Sequence, residues 1–324
     1  MHSLTQREAL INEYKGKLFE YLLGLHLARH YSLEMDFQKL IAIDFRQRLS
    51  FYEDFLLQND KELFKQLPQL ASIVGEKITS SIPVKIEHVI LVGALFGDAD
   101  ILLQEGVSNF KISLKLCKEN AYVNTKSAGV KSFLEKYFSS FAEATSFQKK
   151  LNEKIEKDFY KMGHSLYEKV GLEYFGSFDE SWTKAGLREL PGQLEANLSE
   201  IVVNYYAEQA KYLHECFAFF LKQDKSLFCE ALLALMGVSE QNLLQVICFH
   251  GPSHNERYHV KEITLMNRHN YSALFESMVL QEWQEGKSSF DIVFDKLILQ
   301  IRCKPMNKFT VPALKINCSV KKNK

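Results

Sequence analysis

The stretch Gly97-Asp98-Ala99-Asp100-Ile101-Leu102-Leu103, followed by Phe110-Lys111-Ile112-Ser113-Leu114-Lys115-Leu116, decides how the chain is read. The second run alternates. Ile112, Leu114 and Leu116 take one side, while Lys111, Ser113, Lys115 and Cys117 take the other. A period of two is the repeat of a half-buried strand. Glu105-Gly106 and Ser108-Asn109 are turn formers between the runs. The reading is a β-hairpin. Asp98 and Asp100 are two residues apart, so in extended chain both carboxylates leave one face. Pairing near the turn brings Lys115 within reach of Asp100. Carboxylates at a strand start suit Mg²⁺, which prefers hard oxygen ligands. A neighbouring lysine can orient a water or steady charge growing on a phosphate. Two plainer readings stand beside this one. Asp98 can cap the turn, and Asp100 with Lys115 can be an exposed cross-strand ion pair contributing about 0–1 kcal/mol.

Upstream, Leu10, Tyr14, Leu18, Leu22 and Leu25 recur at three and four, which predicts one helix from Thr5 to about His30. It contains Lys15-Gly16-Lys17-Leu18-Phe19-Glu20. Gly16 and Gly24 lie four residues either side of Glu20, on its face of the helix. Each glycine costs roughly 1 kcal/mol relative to alanine, so another element is expected to approach that face closely. Glu34 to Gln66 reads as a second helical region, broken near Gln58-Asn59-Asp60. Pro68 is expected to mark a helix end, with a shorter helix from there to Ile78. Val84 to Gly93 carries Val89-Ile90-Leu91-Val92, the composition of a strand buried on both faces.

Downstream, the polar and basic segment from Lys118 to Lys131 reads as a loop entering a short helix that ends near Phe138. Lys118, Asn124, Thr125, Lys126, Ser127 and Lys131 offer donors beside the hairpin, as a clamp on a nucleic-acid backbone does. The plainer reading is a solvated loop. Glu143 to Gly171 is a charged helix with no assigned role. Gly171 to Gly192, with four glycines and Pro191, is the expected hinge. It divides the chain into a core at 1–171 and a lobe at 172–324, unless both form one domain. Gln193 to Met236 reads as helix, with two segments meeting near Gln223-Asp224.

Strands follow at Leu243–Phe249, Tyr258–Met266, Phe290–Phe294, Leu297–Cys303 and Ala313–Val320. His250, His254 and His259 are set aside as metal ligands. Gly251-Pro252-Ser253 makes a turn there, and no cysteine or acidic cluster accompanies them. Arg302, Lys304, Lys308, Lys315 and Asn317 suit contacts with phosphates or base edges. They also suit an edge strand guarded by lysines.

The chain's 324 residues are 46% hydrophobic and 25% charged, the balance of a globular protein. Forty basic and forty acidic residues give no net charge, so attraction to a polyanion has to come from a local patch. Six cysteines without CxxC spacing point to reduced thiols in a cytoplasmic protein, not to a disulfide framework or zinc ribbon. No run of eighteen apolar residues is present, so no membrane span is expected.

Asp100, a short gap, then Ser113-Leu114-Lys115 resembles the PD-(D/E)XK nuclease motif found in type II restriction endonucleases. Asp100 matches the family's Asp and Lys115 its Lys, while Ser113 stands where Asp or Glu is usual. Lys15 to Glu20 resembles the helix that precedes the catalytic strands in many of these nucleases, with Glu20 as a compensating carboxylate. The resemblance implies a mixed α/β fold: a restriction-endonuclease-like central sheet flanked by helices, with a helical and β-rich C-terminal half. It implies a Mg²⁺-dependent DNA endonuclease of a restriction system, with Mn²⁺ able to substitute, acting on double-stranded DNA, for which a homodimer is one assembly. Asp100 and Glu20 would hold the metal, with Asp98 and the Ser113 position as further ligands. Lys115 would orient the attacking water. The serine also admits a degenerate module that binds nucleic acid without cutting it.

Overall fold

The hairpin forms as the alternation requires. β2 (Ile101–Glu105) and β3 (Ser108–Lys118) pair antiparallel, with Ile101 opposite Ile112 and Glu105 opposite Ser108. Gly106 turns the chain at φ +53°, a conformation that favours glycine. The computed structural model describes residues 4–82, 85–92, 99–253 and 256–323, and Asp98 and His254 lie outside them. The protein is mixed α/β and forms two compact units, Met1–Val123 with Val238–Tyr271 and Asn124–Gly237 with Ser272–Lys324. The expected division near Gly171 therefore falls inside the second unit.

In the first unit, β1 (His88–Leu91), β2, β3, β5 (Leu243–Ser253) and β6 (Glu256–Asn267) form a five-stranded sheet in that order. All neighbours are antiparallel except β3 and β5, which pair in parallel with Ser113 beside Gln245 and Lys118 beside His250. Parallel strands need a long crossover, and here that crossover is the chain that builds most of the second unit. Helices α1 (Leu4–His30), α2 (Glu34–Leu40), α3 (Ile43–Asn59) and α4 (Lys61–Thr79) share one apolar core with the sheet. Leu18, Phe19, Leu23 and Leu27 of α1 meet the row Ile101, Leu103, Ile112, Leu114, Val246 and Cys248. A side chain on Gly24 would strike the ring of Phe37, so one of the two glycines beside Glu20 does mark a close approach. Gly16 faces open space.

Pro68 does not end a helix, because α4 runs straight through it. An internal proline costs about 3 kcal/mol. The stripe Leu63, Leu67, Leu70, Val74 and Ile78 is buried along the whole of α4, and at about 1.5–3 kcal/mol per buried side chain it outweighs that penalty.

The second unit holds the sheet β4-β10-β9-β8-β7: β4 (Val123–Gly129), β7 (Val279–Leu280), β8 (Ser289–Val293), β9 (Leu297–Pro305) and β10 (Leu314–Lys322). One face is apolar and buried, with Ile292, Leu299, Ile301, Ile316 and Cys318. After the short α5 (Phe133–Tyr137), the long α6 (Ala144–Lys169) and the short α7 (Glu180–Lys184), α8 (Ala196–Gln223) packs with this face and pairs in turn with α6. Phe133, Phe138, Phe217, Phe220 and Phe228 stack about them, with ring centroids 4.9–6.5 Å apart. The predicted helical break is real: Asp224 ends α8 and accepts from the Ser226 and Leu227 amides to begin α9 (Lys225–Leu235). No described helix is long and apolar enough to cross a membrane, and all six cysteines are free thiols.

Candidate active site

β3 is longer than its partner β2. Among the described residues, no strand pairs from Ser113 onward with the edge of β3 that faced β2. Asp100, just before β2, occupies that gap. Its own amide donates to Ile112 O at 2.8 Å, and its Oδ2 accepts the Leu114 N–H at 2.7 Å. A carboxylate held by a backbone amide in this way is both oriented and charge-stabilised.

Glu20 comes to the same place from α1. Burial, then the Asp100 carboxylate, raise its carboxyl above the ordinary range, while Lys17 and Lys115 pull it back down. Asp100 and Lys115 thus both lie within electrostatic reach of Glu20. Lys17 joins them, with its Nζ 2.9 Å from Glu20. Burial lowers the Lys17 ammonium, but Glu20 and then Asp100 more than offset it, so it ends above its usual value. Lys17 had no role in the sequence reading, although it sits one turn before Glu20.

A carboxylate whose proton affinity is raised by burial and by a second carboxylate, as that of Glu20 is, fits a bound cation, which relieves the repulsion. Glu20 and Asp100 would hold it with carboxylate oxygens. Among the described residues there is no group of three or more His, Cys, Asp or Glu side chains that could hold a metal. Ser113 lies buried on β3, on the side of Lys115, with Gln245 beside it on β5. Gln245 Oε1 accepts the Tyr271 hydroxyl at 2.7 Å.

The predicted clamp is divided. Lys118 ends β3 in the first unit, but Asn124, Thr125, Lys126, Ser127 and Lys131 belong to the second, where Val123–Gly129 is a strand rather than a loop. Thr125 is buried, with Oγ1 2.8 Å from Leu235 O and 3.0 Å from Cys318 O. It is a structural hydroxyl, which corrects its reading as a nucleic-acid contact. Ser127 Oγ donates to Asn317 Oδ1 at 2.9 Å. Lys131 lies 3.9 Å from Glu156, and Lys308 2.9 Å from Glu189. Arg302, Lys304, Lys315 and Asn317 do share the polar face of β9 and β10, in the register pairs Arg302–Asn317 and Lys304–Lys315. Burial, then Lys315 and Arg302, lower the Lys304 ammonium, as expected of a basic cluster.

His250 and His259 lie on paired strands rather than in one loop. His250 is 2% exposed, and its Nε2 is buried without a hydrogen-bond partner among the described residues. The turn residues that follow it hid this in the sequence.

No family model, curated protein or solved structure matches the chain.

Proposed function

We propose that the protein is a Mg²⁺-dependent endonuclease of the PD-(D/E)XK kind, acting on double-stranded DNA as restriction enzymes do. One observation carries this reading. Asp100 and Lys115, distant from Glu20 in sequence, both act on its carboxyl, where Asp100 is held on β3 beyond the end of its pairing with β2. Asp100, fixed by the Leu114 amide, and Glu20 present carboxylate oxygens to the cation. Lys115 steadies charge on the phosphate and orients the attacking water. Mg²⁺, when bound, supplies Lewis-acid stabilisation of the phosphoryl oxygens. The Arg302, Lys304, Lys315 and Asn317 face offers further backbone or base contacts, and a two-fold target would recruit a homodimer.

Ser113 favours a second reading, a module on the same fold that binds DNA without cutting it. Incubating plasmid and phage DNAs with the protein in Mg²⁺ or in EDTA, beside Lys115→Ala, separates the two. Cleavage that requires Mg²⁺ and falls about 10²–10³-fold in Lys115→Ala is the expected result. Discrete bands mean site choice and a smear means none. No cleavage in Mg²⁺ or Mn²⁺, with salt-sensitive DNA retention, selects the binding module.

A further inference from the structure

The end of β3 and β5 holds a second group of polar side chains that the proposed chemistry leaves unused. Lys118 and His250 are register partners on parallel strands, so their side chains stand next to each other on the face that meets α1. Lys15 reaches this place from α1. It is only 7% exposed, and Asn12 Oδ1 takes one of its three protons at 3.0 Å. His250 adds the buried, unpartnered Nε2.

The charges around this group do not neutralise it. Burial lowers the Lys15 ammonium, with Cys117 and Asp60 pulling it back up and Lys118 adding to the fall. Burial, then Lys15 and Lys118, push the His250 imidazole down to about 4, so it is neutral at physiological pH and still able to donate a proton. Asp60 is engaged elsewhere, accepting the Leu63 amide at 3.2 Å and the Tyr258 hydroxyl. The Glu119 carboxylate lies against Gly251 beside Lys261. Two ammonium groups, one buried and one exposed, and an imidazole nitrogen without a partner thus converge, and an anion would satisfy all three with His250 in its Nε2–H tautomer. Burying Lys15 and His250 without one is unfavourable.

We propose that Lys15, Lys118 and His250 form a phosphate-holding subsite beside the Glu20–Asp100–Lys115 centre, occupied by a neighbouring phosphodiester of the same nucleic-acid strand. The source of the phosphate rests on the nuclease reading, whereas the anion site rests on these three residues alone. Lys115 and Lys118 leave opposite faces of β3, and the link to the centre runs along α1, where Lys15 and Glu20 are five residues apart, a rise of roughly 7.5 Å.

The test is binding of a short fluorescent DNA duplex in EDTA, where the metal contributes nothing, together with the effect of inorganic phosphate on the melting temperature. Lys118→Gln, an exposed change that leaves the core intact, is expected to weaken duplex binding and to reduce the slope of log affinity against log salt by about 1. Phosphate is expected to raise the melting temperature of the wild type and to lose that effect in Lys118→Gln and in His250→Asn. A wild type that binds duplex, with affinity, slope and phosphate response unchanged in Lys118→Gln, overturns the subsite and leaves the nuclease reading intact. A wild type that neither binds nor cuts DNA, yet is stabilised by phosphate through Lys118, supports the anion site and overturns its nucleic-acid source.

Discussion

The polar residues at the end of β3 and β5 and those along β4 look alike in sequence and have opposite fates. On β4 and just after it, three such groups find protein partners. Thr125 has two carbonyls, Ser127 has Asn317, and Lys131 has Glu156. Along α1 and at the end of β3 and β5 the groups are held at a disadvantage: Glu20 against Asp100 despite Lys17, Lys15 against Lys118, His250 with no partner on Nε2 among the described residues. Basic or hydroxyl-rich composition therefore does not mark a site. The mark is a polar group whose environment works against its usual protonation state and whose hydrogen bonds are incomplete.

The strongest way to break this contrast is through pH. The folded protein holds His250 near 4, against an ordinary value of 6.5. As pH falls through 6.5 the unfolded chain takes up a proton that the folded one refuses, until about 4. His250 thus contributes stability above 6.5 that is lost on going down to 4, by about 2–3 kcal/mol. Chemical denaturation of wild type and His250→Gln across that window should show the wild type losing more by this amount. Parallel curves would mean that His250 is partnered, and the contrast with β4 would disappear.

A smaller effect is expected at Thr125. Thr125→Val leaves two buried carbonyls without the hydroxyl and should lower stability by about 1–2 kcal/mol. DNA affinity should stay unchanged, which separates a structural hydroxyl from a binding one. The smallest effect belongs to Lys131. Its pair with Glu156 is exposed at both ends, so Lys131→Ala should change stability by less than about 0.5 kcal/mol. It should leave the salt dependence of DNA binding where it was. A reduced slope would restore Lys131 to the nucleic-acid surface.

Much of this was legible in the sequence where burial follows a simple period. Ile112, Leu114 and Leu116 gave β3, and Gly106 gave the turn. The break at Asp224 was readable because an Asp at a helix start caps it. Pro68 misled because a local rule was weighed without the buried stripe that overrides it. β4 was missed because, in Val123-Asn124-Thr125-Lys126-Ser127, only Val123 and Thr125 are buried, and threonine reads as polar. At the candidate site, Glu20, Asp100 and Lys115 could be named from residue type. The Leu114 amide that fixes Asp100 and the isolation of His250 depend on strand overhang and register, which a linear sequence does not display.

The parallel pairing of β3 with β5 also governs how the chain is made. Lys111 and its partner Leu243 are 132 residues apart. At about 5–20 residues per second on the ribosome, β3 waits roughly 7–26 s with one edge bare before β5 emerges to cover it. An unpaired, partly apolar strand edge is a template for association with other chains. Synthesis at high expression therefore favours aggregation through β3, and fewer chains made at once, or a chaperone that shields this edge, should raise the soluble yield.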